Sequence, residues 1–122
     1  LYTDPNEASY FVQKTQVDSL AIAIGAKHGI AGKINYTLLN KIQMNVNKPL
    51  VIHGGSGINK QSFSKLNQHG IKKINFGTAL HNIFYKNNNT EKFSLENNKK
   101  DLTEYVRLIC NDLNSKNQYT SY

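Results

Sequence analysis

Three short apolar runs, each closed by glycine, constrain this chain more than any other feature. They are Val17-Asp18-Ser19-Leu20-Ala21-Ile22-Ala23-Ile24-Gly25, Pro49-Leu50-Val51-Ile52-His53-Gly54-Gly55 and Ile71-Lys72-Lys73-Ile74-Asn75-Phe76-Gly77. The first two read as strands buried on both faces, and the third as a further strand. Helical patterns separate them. The spacing predicts a helix near Tyr36 to Val46 with Leu39, Ile42 and Val46 on one face. It predicts a short helix over Asn59 to Gln68, with Phe63 and Leu66 inward and Gly70 as the stop. A further helix runs from Thr78 to about Tyr85. A leading helix, to about Lys14, starts at Asp4-Pro5-Asn6-Glu7, where Asp4 caps and Pro5 suits the first helical position. Strands that alternate with helices form a parallel sheet.

A length of 122 residues fits one domain with one modest core. Residues 1–86 hold the strand-helix units, 87–99 read as a polar loop, 100–114 as a terminal helix and 115–122 as a frayed tail. The terminal helix carries Leu102, Tyr105, Val106, Ile109 and Leu113 at helical spacing. Three strands make a poor doubly wound sheet. They fit the last section of a (β/α)₈ TIM barrel, an α/β fold whose active site lies where the strands end.

Charge and composition exclude several classes. The net charge of +7 rests almost wholly on scattered lysines, with Arg107 the single arginine. Arginine is the usual reader of base edges, and asparagine is also frequent here, so the charge reads as compositional bias. No nucleic-acid partner is expected on this ground. No apolar run approaches the roughly 20 residues of a membrane span, and no leader pattern is present. One cysteine, Cys110, excludes an internal disulfide and a cysteine zinc cage, and points to a reducing, cytoplasmic setting.

The polar residues gather at the strand ends. His53-Gly54-Gly55-Ser56-Gly57 is the sharpest motif. Its glycines let the backbone turn tightly, and its amides and the Ser56 hydroxyl suit an anion beside a helix N-terminus. His28 follows the first strand, so two imidazoles stand at equivalent ends of successive strands, as zinc ligands would. Thr78 either caps the helix that follows or joins Ser56 on the same anion, and Asn75 offers a donor and an acceptor. His69 and His81 read as surface residues and Cys110 as a small buried hydrophobe. Neither Asp18 nor Asp112 has a partner that would make it a catalytic acid.

Together these residues resemble the class II, metal-dependent fructose-bisphosphate aldolases, a family that includes tagatose-bisphosphate aldolases. The resemblance is carried by Tyr2-Thr3-Asp4-Pro5 with Glu7-Ala8, by the run from Val17 to Gly25, by His28-Gly29, by the run from Pro49 to Ile58, and by Ile74-Asn75-Phe76-Gly77-Thr78. It covers residues 1–85 well and the terminal helix loosely. It implies the C-terminal part of a (β/α)₈ barrel. The implied activity is reversible cleavage of a ketose 1,6-bisphosphate into dihydroxyacetone phosphate and glyceraldehyde 3-phosphate, a step of carbohydrate metabolism. It implies that His28 and His53 are two of three zinc-ligating histidines. It implies that Gly29, Gly54, Ser56 and Thr78 hold the dihydroxyacetone phosphate end, with Asn75 near the metal. Zinc would serve as Lewis acid, a monovalent cation such as Na⁺ or K⁺ would assist phosphate binding, and the full-length protein would be a homo-oligomer.

The chain also departs from that pattern. It resembles only the C-terminal part of a family more than twice as long. The first zinc histidine and the proton-shuttling aspartate belong to the other part, so no catalytic acid-base residue is assigned here. The loop Ile30-Ala31-Gly32-Lys33 is one residue shorter than usual, which leaves Lys33 as a candidate for the phosphate-binding lysine. Ala79 and His81 replace an acidic and a basic residue. The chain alone is therefore expected to be inactive. A non-catalytic anion-binding remnant is the alternative, and a basic nucleic-acid-binding module a weaker one.

Overall fold

A computed structural model describes residues 2–25, 32–88 and 94–115. Helix α1 spans Pro5–Thr15. Asp4 caps it as expected, its Oδ1 accepting from the amides of Asn6 at 2.8 Å and Glu7 at 3.0 Å. Strand β1 is Leu20–Ile22, α2 is Tyr36–Asn45 and β2 is Leu50–Ile52. Two single 3₁₀ turns, Gly55–Gly57 and Lys60–Ser62, precede α3, Phe63–Gln68. Then come β3, Ile71–Ile74, α4, Thr78–Asn88, and α5, Leu95–Asp112.

The three strands form one parallel sheet in the order β1-β2-β3. Leu20, Ala21 and Ile22 pair with Leu50, Val51 and Ile52. A register shift between Leu50 and Val51 then sets Leu50 against Ile71, Val51 against Lys73 and Ile52 against Ile74. Leu20, Ile22, Leu50, Ile52 and Ile71 point to the helical side, where they share one core with Ala8 and Val12 of α1, Leu39 and Ile42 of α2, Phe63 and Leu66 of α3 and Ile109 of α5.

Three expectations need correction. Strand β1 is not buried on both faces, because Ala21, on the face away from the helices, is exposed, whereas β2 is buried at all three positions as expected. The segment Asn59 to Gln68 is not one helix but a 3₁₀ turn followed by a short α-helix. The polar stretch 87–99 is helical at both ends, since α4 reaches Asn88 and α5 begins at Leu95 with the Ser94 hydroxyl accepting from the Asn97 amide at 3.3 Å. A serine cap can start a helix in a polar stretch where no apolar period announces it. Most of the expected tail, 116–122, lies outside the described residues, and Ser115 is tied back to the Cys110 carbonyl. Among the described residues no helix is long and apolar enough to cross a membrane.

Candidate functional site

The site grows out of the C-terminal end of β2. Pairing with β3 continues past the strands: the Asn75 amide donates to the Ile52 carbonyl at 2.9 Å and the Gly55 amide to the Asn75 carbonyl at 3.0 Å. Gly54 turns the chain with φ of 76°, in the left-handed region that glycine enters without cost. Gly55 is required for a different reason. A Cβ there would stand 2.6 Å from Ile74 Cγ2 and 2.9 Å from Phe76 Cε1. Phe76 packs edge-on against Phe63, so this loop is clamped between β3 and the core.

That clamp brings four predicted residues together. His53 is exposed at the strand end, and its Nδ1 lies 3.4 Å from the amide nitrogen of Asn75. Ser56 reaches the first turn of α4, where its hydroxyl accepts from the Ala79 amide at 3.1 Å. Thr78 is the first residue of that helix rather than its cap. The hydroxyl that occupies the helix end is thus the one two loops share. The N-terminus of α4 concentrates unpaired amides and the positive end of the helix dipole at Ser56, a setting that favours an anion.

Lys33 also comes to this region. It lines a cleft of about 680 Å³ with Gly32, Ser56, Gly57, Asn59 and Ser62. The Gly32 amide donates to the Gly57 carbonyl at 3.1 Å, which ties the loop after β1 to the glycine loop. His28 and Gly29 lie outside the described residues. His69 ends α3 with Nδ1 2.6 Å from Asn40 Oδ1, and His81 is exposed on α4, so neither joins the site. Cys110 is half-buried rather than fully buried. Two partners were not foreseen from sequence. One is the Ala79 amide. The other is the Tyr36 hydroxyl, buried beside the same cleft with no hydrogen-bond partner among the described residues; an aromatic at a helix start gives no sign of it.

A family model described as class II fructose-bisphosphate aldolase matches residues 1–118. The chain belongs to that family. Solved class II aldolase relatives agree in fold. The YdjI aldolase of Escherichia coli K12 shares 28% identity over 98% of this chain, with a TM-score of 0.69. A candidate fructose-1,6-biphosphate aldolase from Coccidioides immitis shares 28% identity over 97% of it, with a TM-score of 0.86. The fructose-bisphosphate aldolase of Campylobacter jejuni, at 18% identity over 93% of it and a TM-score of 0.71, supports the fold alone. In each case the match covers 45% of the solved chain, so this chain spans about half the length of these class II aldolases. Its three parallel βα units are the C-terminal section of a (β/α)₈ barrel, and the site described above lies at the C-terminal ends of its strands.

Proposed function

We propose that this chain supplies the phosphate-binding cup and part of the metal site of an aldolase that cleaves a ketose 1,6-bisphosphate, fructose or tagatose, to dihydroxyacetone phosphate and glyceraldehyde 3-phosphate. The observation that carries this reading is the Ser56 hydroxyl seated on the first turn of α4, between the glycine loop and Thr78. Gly54, Ser56, Thr78 and Gly29 would surround the phosphate with amides and hydroxyls. Lys33, on the same cleft as Ser56, would add charge. A monovalent cation would balance the phosphate.

His53 suits a metal in its donor chemistry: it is an exposed imidazole whose Nε2 has no partner among the described residues. Among those residues, however, no three His, Cys, Asp or Glu side chains stand together. Three protein ligands would therefore need His28 and a residue from the rest of the barrel. Zinc, when bound, supplies a Lewis acid that polarises the ketone carbonyl. Asn75 would hold the substrate beside His53. The proton-transfer group would belong to the rest of the barrel, and the full-length protein would be a homo-oligomer.

The test is an aldol-cleavage assay with both bisphosphates, run on this chain with added zinc and again with a separately made N-terminal part of a related aldolase. The chain alone should give no cleavage, and the combination should. His53→Ala should abolish the combined activity and lower bound zinc. Full turnover and full metal content in that variant would remove His53 from the site. Cleavage by the chain alone would show that the acid-base group is within it.

A further inference from the structure

The register of β3 and the contacts beside it settle which face each residue takes. Ile74 and Phe76 pack against the core on the helical side. Asn75, between them, meets His53 on the other side. The register shift leaves Lys72 as an extra residue between Ile71 and Lys73; beyond it side chains alternate, so Lys73 shares the face of Asn75, and its pairing with Val51 agrees, since Val51 lies two residues before His53. In a closed barrel this face is the packed interior. Lys73 therefore stands one layer beneath the His53–Asn75 pair, beside Val51 and Ala21. Its neighbour Lys72 turns the other way and donates to Asn67 Oδ1 of α3 at 2.9 Å. Both lysines are exposed in this chain, but only Lys73 faces the side that the rest of a barrel would enclose.

An ammonium enclosed in a barrel must be hydrogen-bonded, because an unpaired buried charge is strongly unfavourable. No acidic side chain of β1, β2 or β3 is available on this face, as those strands contain none. One acceptor is in place. Asn75 turns its amide nitrogen to His53, and its Oδ1 has no partner among the described residues. Two residues along a strand is about 6.6 Å, a span that the four-carbon stem of lysine covers.

We propose that Lys73 is a positioning residue of the site described above: its ammonium, enclosed on the inward face of the assembled barrel, donates to Asn75 Oδ1 and so keeps the Asn75 amide nitrogen turned toward His53. This rests on the aldolase reading for its effect on turnover, though not for its effect on burial. An amide free to flip would present its oxygen to the substrate half the time, while a lysine donor admits one orientation. The remaining ammonium hydrogens would meet a carboxylate or carbonyl from the strand that adjoins β3.

The experiment has two arms, both on the assembled barrel. In the first, the unmodified protein is treated with an amine-methylating reagent and mapped by mass spectrometry. Lys73 should be protected while Lys72 reacts; equal modification of the two overturns the proposal, whatever the activity. In the second, Lys73→Met should lower kcat roughly ten- to a hundredfold, the loss expected for one hydrogen bond to a charged group. KM and zinc content should stay within about threefold in that variant, and circular dichroism should be unchanged. Lys73→Cys in a Cys110→Ser background, alkylated to the aminoethyl side chain, should recover kcat. A Lys73→Met variant with normal kcat overturns the positioning role, as does a loss that restored ammonium does not reverse. If the unmodified protein cleaves neither bisphosphate, the aldolase reading fails, and the labelling contrast still decides whether Lys73 is enclosed.

Discussion

Helices α2 and α4 are nearly the same length, 10 and 11 residues, and both follow a strand of the same sheet, yet one is anchored and the other is not. Leu39 and Ile42 of α2 are fully buried in the core shared with β1 and β2. No described side chain of α4 is buried, Phe84 and Tyr85 stand exposed, and the helix packs against α5. The difference lies in the neighbours more than in the helices. A right-handed crossover lays a helix over the strand before it and the strand after it. Helix α2 has both; α4 has β3 behind it and no following strand among the described residues. The Ser56–Ala79 end of the site thus depends on the less supported half of the molecule.

The largest expected effect tests that contrast directly. Leu39→Ala should cost about 2–5 kcal/mol of unfolding free energy, the usual range for a buried leucine. Phe84→Ala, on the exposed face of α4, should stay within about 0.5 kcal/mol in this chain. Urea unfolding of both variants would measure this, and equal losses would break the comparison. Where a following strand covers α4, the cost of Phe84→Ala should rise toward that of Leu39→Ala.

Ser56→Ala probes the join between the halves. Losing one hydrogen bond to a charged phosphate should raise KM for a bisphosphate about ten- to a hundredfold, with zinc content unchanged. The same change removes the acceptor for the Ala79 amide, so hydrogen exchange should quicken in the first turn of α4 and not in α2. Metal loss at unchanged KM would reverse the role given to Ser56. Gly55→Ala should cost about 1–3 kcal/mol, because its methyl group would meet Ile74 and Phe76 with no room to turn away. A lowered Tm with intact α2 exchange would place the damage at the β2–β3 seam.

The smallest effect is electrostatic and belongs to α5. Burial pushes the Tyr105 phenol above its ordinary value of 10.0. The unfolded chain therefore releases this proton first as pH rises. The contribution is fully present below pH 10 and is lost as pH climbs through the folded value. Tyr105→Phe should flatten the alkaline fall in stability slightly. An unchanged alkaline limb would show that the phenol is effectively solvated.

Much of this arrangement was legible in the residues, and the rest has physical reasons for being hidden. Asp4, Pro5 and Glu7 act within one turn, so α1 could be read from its first four letters. Strands β1 and β2 were legible because their apolar runs end in glycine, and β3 because it repeats the strand-then-glycine unit around Lys72 and Lys73. What failed was local competition and distance. The Asn59 side chain accepts from the Gln61 amide, which favours a 3₁₀ turn where a longer helix was expected. Ser94 caps α5 inside a stretch with no apolar period. The grasp of Ser56 on Ala79 joins residues 23 apart and follows only from the parallel packing of two loops. The zinc role of His53 and the role of His28 were carried by resemblance and remain proposals.

The strand order has a consequence for how the chain reaches this structure. Each strand pairs with its immediate successor, β1 with β2 and β2 with β3. Each of these two pairings closes a loop of one helical unit, so neither waits on a distant segment. As the chain leaves the ribosome, α1, β1, α2 and β2 can assemble before β3 is made, and β3 then adds to a finished edge. The two loops that meet at Ser56 and Ala79 come together only in that last addition. The Ser56–Ala79 contact thus needs β3 in place beside β2, and its formation reports that this pairing has been made.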